Sequence, residues 1–204
     1  AFFVPTFVGF FSITPIYWVK LNWMMPSYIT GIIIAGMYVS KKLVKIQVII
    51  SIVFHLALAT QVIFYLVPIK SDDTWVGWKE LASEVSKLQE NHKDSFVFSM
   101  DGYKTSAQLR FFMNEKVYAQ NIVGLNALHF DYLGDDVSTL EGQNAFYIDS
   151  DKRFRNNDKK GEIDPTVLQK FTSVEELEPI IVNKNTSKER KFWVFYCVNY
   201  QPKK

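Results

Sequence analysis

The sequence predicts a helical membrane region of three spans followed by a small extracytoplasmic α/β domain. Three observations carry that prediction. Residues 46–69 run for 24 positions without a charged side chain, counting His55 as neutral. At about 1.5 Å per residue this is roughly 36 Å of helix, enough to cross a hydrocarbon core of about 30 Å. Residues 1–70 contain five Lys, no Arg and no acid, whereas residues 71–204 hold all 21 acids and the other 18 basic residues. The second part then changes from continuous apolar runs to short helix-period and strand-like segments. A net charge of +2 and a mean hydropathy near zero thus average two unlike parts.

Residues 1–19 make the first expected span, with seven aromatics, no charge and kinks at Pro5 and Pro15. A buried soluble helix is the alternative for this stretch. A short polar break, Lys20-Leu21-Asn22-Trp23, separates it from a second span at 24–40, close to the minimum crossing length. Lys41, Lys42 and Lys45 form a basic turn before the third span, 46–69. The positive-inside bias puts that turn in the cytoplasm, and so puts the Lys20–Trp23 break and everything after Ile69 on the outer face. Tyr17, Trp18, Trp23 and Tyr28, with Trp75 and Trp78 past the third span, fit an interfacial aromatic belt. The chain opens on Ala1 inside an apolar run, without the basic n-region or cleavage site of a signal peptide. It reads as the C-terminal piece of a longer membrane protein.

The remaining residues, 71–204, suffice for a core of their own. Ser71-Asp72-Asp73 offers a cap for a helix over 74–91, whose Trp78, Leu81, Val85 and Leu88 fall on one face. A strand at 95–100 turns at Asp101-Gly102 into a helix over 103–113, with Tyr103, Ala107 and Phe111 in line. A short strand at 117–119 follows, then residues 120–143, rich in Asn, Asp and Gly and without a regular pattern. Residues 144–149 read as a strand, and a charged loop follows it. A short helix is expected near 165–171, and Ser173 with Glu176 has capping-box spacing for another helix start. Strands at 179–183 and 191–200 close the domain.

Little in this pattern specifies chemistry. No basic stripe with interleaved aromatics is present, so no nucleic-acid partner is expected. Cys197 is the single cysteine, which excludes an intrachain disulfide and a thiolate metal site. P-loop, GxGxxG, GxSxG and HExxH patterns are absent, and neither cofactor nor metal is expected. His55 is either an intramembrane polar site or a neutral side chain hydrogen-bonded to a neighbouring helix. His129 and Asp131 are either half of an acid–base pair or a local hydrogen-bonding pair. Lys20, Asn22 and Trp23 are the candidate substrate-binding residues: Lys20 suits a lipid phosphate, and Trp23 a sugar or an isoprenoid. Plain interfacial anchoring by Lys and Trp is the other reading.

At this break the segment KLNWMMPSYITG resembles glycosyltransferase family 39-like proteins, relatives of the protein O-mannosyltransferases and of the aminoarabinose transferase that modifies lipid A. In these a short outer turn leads into a Pro-containing span. Residues 78–82 (WKELA), FVFSMDGYKTSAQLRFFMN, LNALHFDYL and EGQNAFYID extend the resemblance over about residues 1–150. It implies a multi-pass GT-C fold enzyme of the plasma (inner) membrane. Such an enzyme transfers a sugar from a polyprenyl-phosphate donor to an acceptor glycan, lipid or protein on the outer face. The family's acidic catalytic residue lies in a first outer loop, yet residues 1–71 contain no Asp or Glu. The catalytic residue is therefore unknown here, and Lys20, Asn22 and Trp23 at most line the donor site. A membrane-anchored binding or assembly domain without catalysis, and a piece of a transporter, are the competing readings.

Overall fold

The computed structural model describes residues 3–17, 19, 21–67, 75–151, 163–184 and 187–202. The chain divides into two compact units, Ala1–Val67 and Pro68–Lys204, taken separately here.

The first unit begins with helix α1, Phe3–Ile13, which ends where residues 14–17 turn around Pro15. Pro disfavours the helical conformation of the residue before it and has no N–H to continue the ladder. A 3-10 turn, Leu21–Met24, leads to α2, Met25–Tyr38, with Pro26 in its first turn. At Gly31 a Cβ would lie 2.8 Å from the Phe3 ring, so α1 and α2 pack closely there. Val39 is extended, and the Ser40 hydroxyl accepts the Leu43 N–H at 3.3 Å to cap α3, Lys41–Phe64. Tyr65, in the left-handed conformation, ends α3.

These boundaries correct the expectation of a multi-pass helical region with three spans. Among the described residues only α3 is long and apolar enough to cross a membrane, by length and composition. α1 has 11 residues and α2 has 14, about 16 and 21 Å of helix, well short of a core of about 30 Å. The apolar composition of 1–40 was legible, but Pro15 and the break at Val39 divide it into pieces too short to span. The lysines Lys41, Lys42 and Lys45 are not a turn either: they occupy the first turns of α3. The GT-C architecture implied by the resemblance is thus not what this chain builds. What it builds is one long apolar helix, a short helical pair and a mixed α/β domain.

The second unit holds a five-stranded mixed sheet in the order β2-β1-β3-β5-β4. Helix α4, Trp78–Asn91, precedes strand β1, Ser95–Phe98; α5, Lys104–Met113, connects β1 to β2, Val117–Tyr118. Three 3-10 turns lead to β3, Asn144–Ser150, and both β2 and β3 pair parallel to β1. Helix α6, Pro165–Lys170, runs directly into β4, Phe171–Lys184, which pairs antiparallel with β5, Ser187–Tyr200. β5 also pairs antiparallel with β3 and so joins the two halves of the sheet.

Alternation along the strands feeds two cores. Val97, Val117, Phe146, Ile148, Phe192 and Val194 pack beneath α4 and α5 with Trp78, Leu81, Val85 and Leu109. Phe96, Phe98, Tyr147, Phe195 and Tyr200 lie on the other face with Phe171 and the 3-10 turns. β1 is buried on both faces, as a parallel strand between covered neighbours should be.

Four expectations change here. The cap proposed at residues 71–73 lies outside the described residues, and the described helix starts at Trp78 after Gly77. Trp78 is buried with the Arg190 guanidinium 3.8 Å over its ring, so it belongs to the core and not to a membrane belt. Ser173–Glu176 starts no helix; these residues belong to β4, where Glu175 and Glu176 pair with Tyr196 and Phe195. The capping-box spacing is overridden because β5 offers a full antiparallel partner. On α5 the buried face is Thr105, Ser106 and Leu109, while Tyr103 and Phe111 are exposed.

Candidate functional site

The 3-10 turn Leu21–Met24 carries two of the three proposed substrate-binding residues. Asn22 is exposed, and Trp23 is about half exposed at 48% with its ring 6.3 Å from that of Phe10 on α1. Lys20 lies outside the described residues. The Ser27 hydroxyl, buried on the first turn of α2, donates to the Met24 carbonyl at 2.6 Å and ties the turn to the helix. Phe10 also lines an apolar groove of about 420 Å³ with Pro5, Thr6, Gly9 and Ile13. Gly9 opens this groove, since nothing stands within 4 Å of where a Cβ would be. The arrangement is an apolar slot on α1 whose wall residue Phe10 has the Trp23 ring near its own. Sequence reasoning found Trp23 but missed Phe10 and Gly9, because an aromatic within an apolar run carries no signal of its own.

The positive-inside argument no longer fixes which side this turn occupies. It relied on α2 crossing the membrane, and α2 is too short.

In the second unit the carboxyl ends of β1 and β2 gather a polar network, the position where open α/β sheets place ligands. Asp101 takes the Thr105 N–H at 3.1 Å and the Thr105 hydroxyl at 2.6 Å, which fastens the first turn of α5. The Ser106 hydroxyl donates to the Tyr118 carbonyl at 2.6 Å, and Ser99 Oγ lies 2.6 Å from it. Gly102, at φ +81°, donates its N–H to Gln120 Oε1 at 3.1 Å. These groups hold the turn in place; their lone pairs and protons are already committed to the fold.

The other candidates resolve locally. His55 Nδ1 is 2.7 Å from the Ser51 carbonyl one turn back on α3, so its partner is on its own helix and not on a neighbouring one. Asp131 accepts the Ala127 N–H at 3.0 Å, while the His129 ring lies edge-on to Tyr103 at 5.4 Å and against Phe130 at 4.7 Å. The carboxylate and the imidazole therefore serve different partners and do not form a pair. Among the described residues no three His, Cys, Asp or Glu side chains converge as a metal site would need.

Burial shifts several protons in this unit. It pushes the Cys197 thiol up to about 12 and the Tyr200 phenol up to about 12, and it raises Tyr147 and Tyr118. Asp135 moves the other way. A hydrogen bond from Arg110 at 2.5 Å holds its carboxyl below the usual range, with Lys116 adding at 3.4 Å and burial opposing. None of these groups borders the α1 groove. Compared with protein-family models, curated proteins and solved structures, the chain matches none of them.

Proposed function

We propose that this chain works in membrane sugar transfer, taking a sugar from a polyprenyl-phosphate donor, with α3 as its membrane anchor and its α/β domain on the extracytoplasmic face. One observation carries the reading: Phe10, which lines the apolar slot on α1, has the half-exposed Trp23 ring 6.3 Å away. A polyprenyl phosphate is an amphiphile with an isoprenoid tail and a charged head. The slot suits the tail and Trp23 the junction of the two, and the sequence supplies Lys20 and Asn22 in the same segment as groups suited to a phosphate. The resemblance over residues 20–31 points to the same donor.

The test is labelling of the full chain in phospholipid vesicles with a photoreactive polyprenyl phosphate. Crosslinks are expected on α1, and Trp23→Ala is expected to lower their yield by about 2- to 10-fold, the worth of one aromatic contact. Equal labelling of Trp23→Ala and the parent chain, or crosslinks spread over α3 instead, would leave Trp23 with an anchoring role only.

A second reading, a membrane-anchored binding or assembly domain without catalysis, is favoured by one fact. Residues 1–71 contain no carboxylate, so the slot has no local general base to take an acceptor's proton. Labelling of the slot without sugar transfer by the chain decides for that reading.

A further inference from the structure

A cleft of about 590 Å³ opens in the second unit at the amino-terminal edge of the parallel strands, away from the turns at their carboxyl ends. We propose that it binds a neutral, hydroxyl-rich ligand, a saccharide, independently of the slot on α1.

The volume falls within the range of small-molecule sites, roughly 300–1,000 Å³. The charge of its lining argues against an ion as ligand. Lys93 and Lys116 are matched by Asp94 and Glu115, and Lys116 is also drawn to Asp135 at 3.4 Å. An anion site would need an excess of cationic donors, and a cation site an excess of carboxylates.

Two amides are held in place at the walls. Gln89 Nε2 donates to the Ser95 carbonyl at 2.9 Å, and Gln143 Nε2 donates to the Thr139 carbonyl at 2.9 Å. The Gln89 Oε1 atom is shielded from solvent and has no hydrogen-bond partner among the described residues. An acceptor left in that state costs about 1–3 kcal/mol, a cost that a hydroxyl donor removes once rotation of the Gln89 amide brings the oxygen to the cleft. Hydroxyls both donate and accept, so one sugar can address lysine donors, carboxylate acceptors and amide oxygens together. Phe96 and Tyr118, with rings 5.5 Å apart and nearly perpendicular, give the cleft apolar walls.

The test uses the full chain in phospholipid nanodiscs and saturation-transfer NMR with N-acetylglucosamine and mannobiose as probes, and inorganic phosphate as competitor. At least one sugar should receive saturation, and phosphate should not displace it. Gln89→Leu should weaken that binding by about tenfold, the size of one lost hydrogen bond at a buried group. Gln143→Ala, at a half-buried position, provides a second variant, and near-ultraviolet circular dichroism checks that both keep the parent fold. Sugar binding unchanged in both folded variants, no saturation of either sugar, or displacement by phosphate would overturn the proposal. Photolabelling by polyprenyl phosphate, run in parallel, separates the two claims. Sugar binding lost in the variants with labelling intact supports the cleft independently of the donor slot. Labelling absent from the parent chain with sugar binding retained overturns the transferase reading alone.

Discussion

Leu109 and Phe111 stand two residues apart on α5 and have opposite roles. Leu109 is fully buried beneath the sheet, whereas Phe111 is 77% exposed. Leu109→Ala is expected to cost about 2–5 kcal/mol in chemical denaturation of the second unit, and Phe111→Ala no more than about 0.5 kcal/mol. Equal losses would mean that the aromatic line Tyr103, Ala107 and Phe111 is the packed face after all. That line was misread from sequence because a helix-period row of large apolar residues normally marks the core side. Here α5 turns Thr105 and Ser106 inward instead, since Asp101 and the Tyr118 carbonyl supply them with hydrogen bonds. Cys197 lends itself to a simpler check. With its thiol held near 12 by burial, almost no thiolate exists at pH 8. Alkylation by iodoacetamide should be negligible in the native protein and complete once it is unfolded.

At the scale of elements, α3 and β4 show two ways in which length decides. No residue in the apolar window of α3 is buried, a surface of the kind that marks a membrane or protein contact. Its three lysines lie at the amino-terminal end and no basic residue occupies its last turn. Reporter fusions after Lys204 are therefore expected to report an extracytoplasmic second unit, and activity of a cytoplasmic reporter there would reverse the orientation. β4 is an edge strand 14 residues long that carries Glu175, Glu176 and Glu178 outward and a register shift around Pro179. Charges, a proline and an irregularity are the usual protections of a sheet edge against further pairing. Sequence gave the alternation in its second half and missed its first, because β5 is the element that extends it.

For the second unit as a whole, the Arg110–Asp135 pair is the link that pH can test. It joins α5 to the loop between the second and third 3-10 turns across 25 positions of chain. Asp135 has a folded pKa below its unfolded value near 4. Its contribution is therefore fully present above about pH 4 and is lost as the pH falls through the lower, folded value. Arg110→Met should flatten the acid side of the stability–pH profile while leaving its neutral side parallel to that of the parent protein. An unchanged acid side would assign that limb to other carboxylates.

The order of strands and helices from residue 78 to 149, the one long apolar helix and the acid-free first third were all determined by the sequence alone. They follow from local periods and composition, which need no partner to be read. Tertiary structure decided the rest: where the first 40 residues break, which face of α5 is buried, and that residues 173–176 join a strand. It also brought Gln89, Glu115 and Gln143 to one cleft and Phe10 beside Trp23. Each of these depends on a neighbour far along the chain or on the space between elements, and neither quantity is present in a linear pattern.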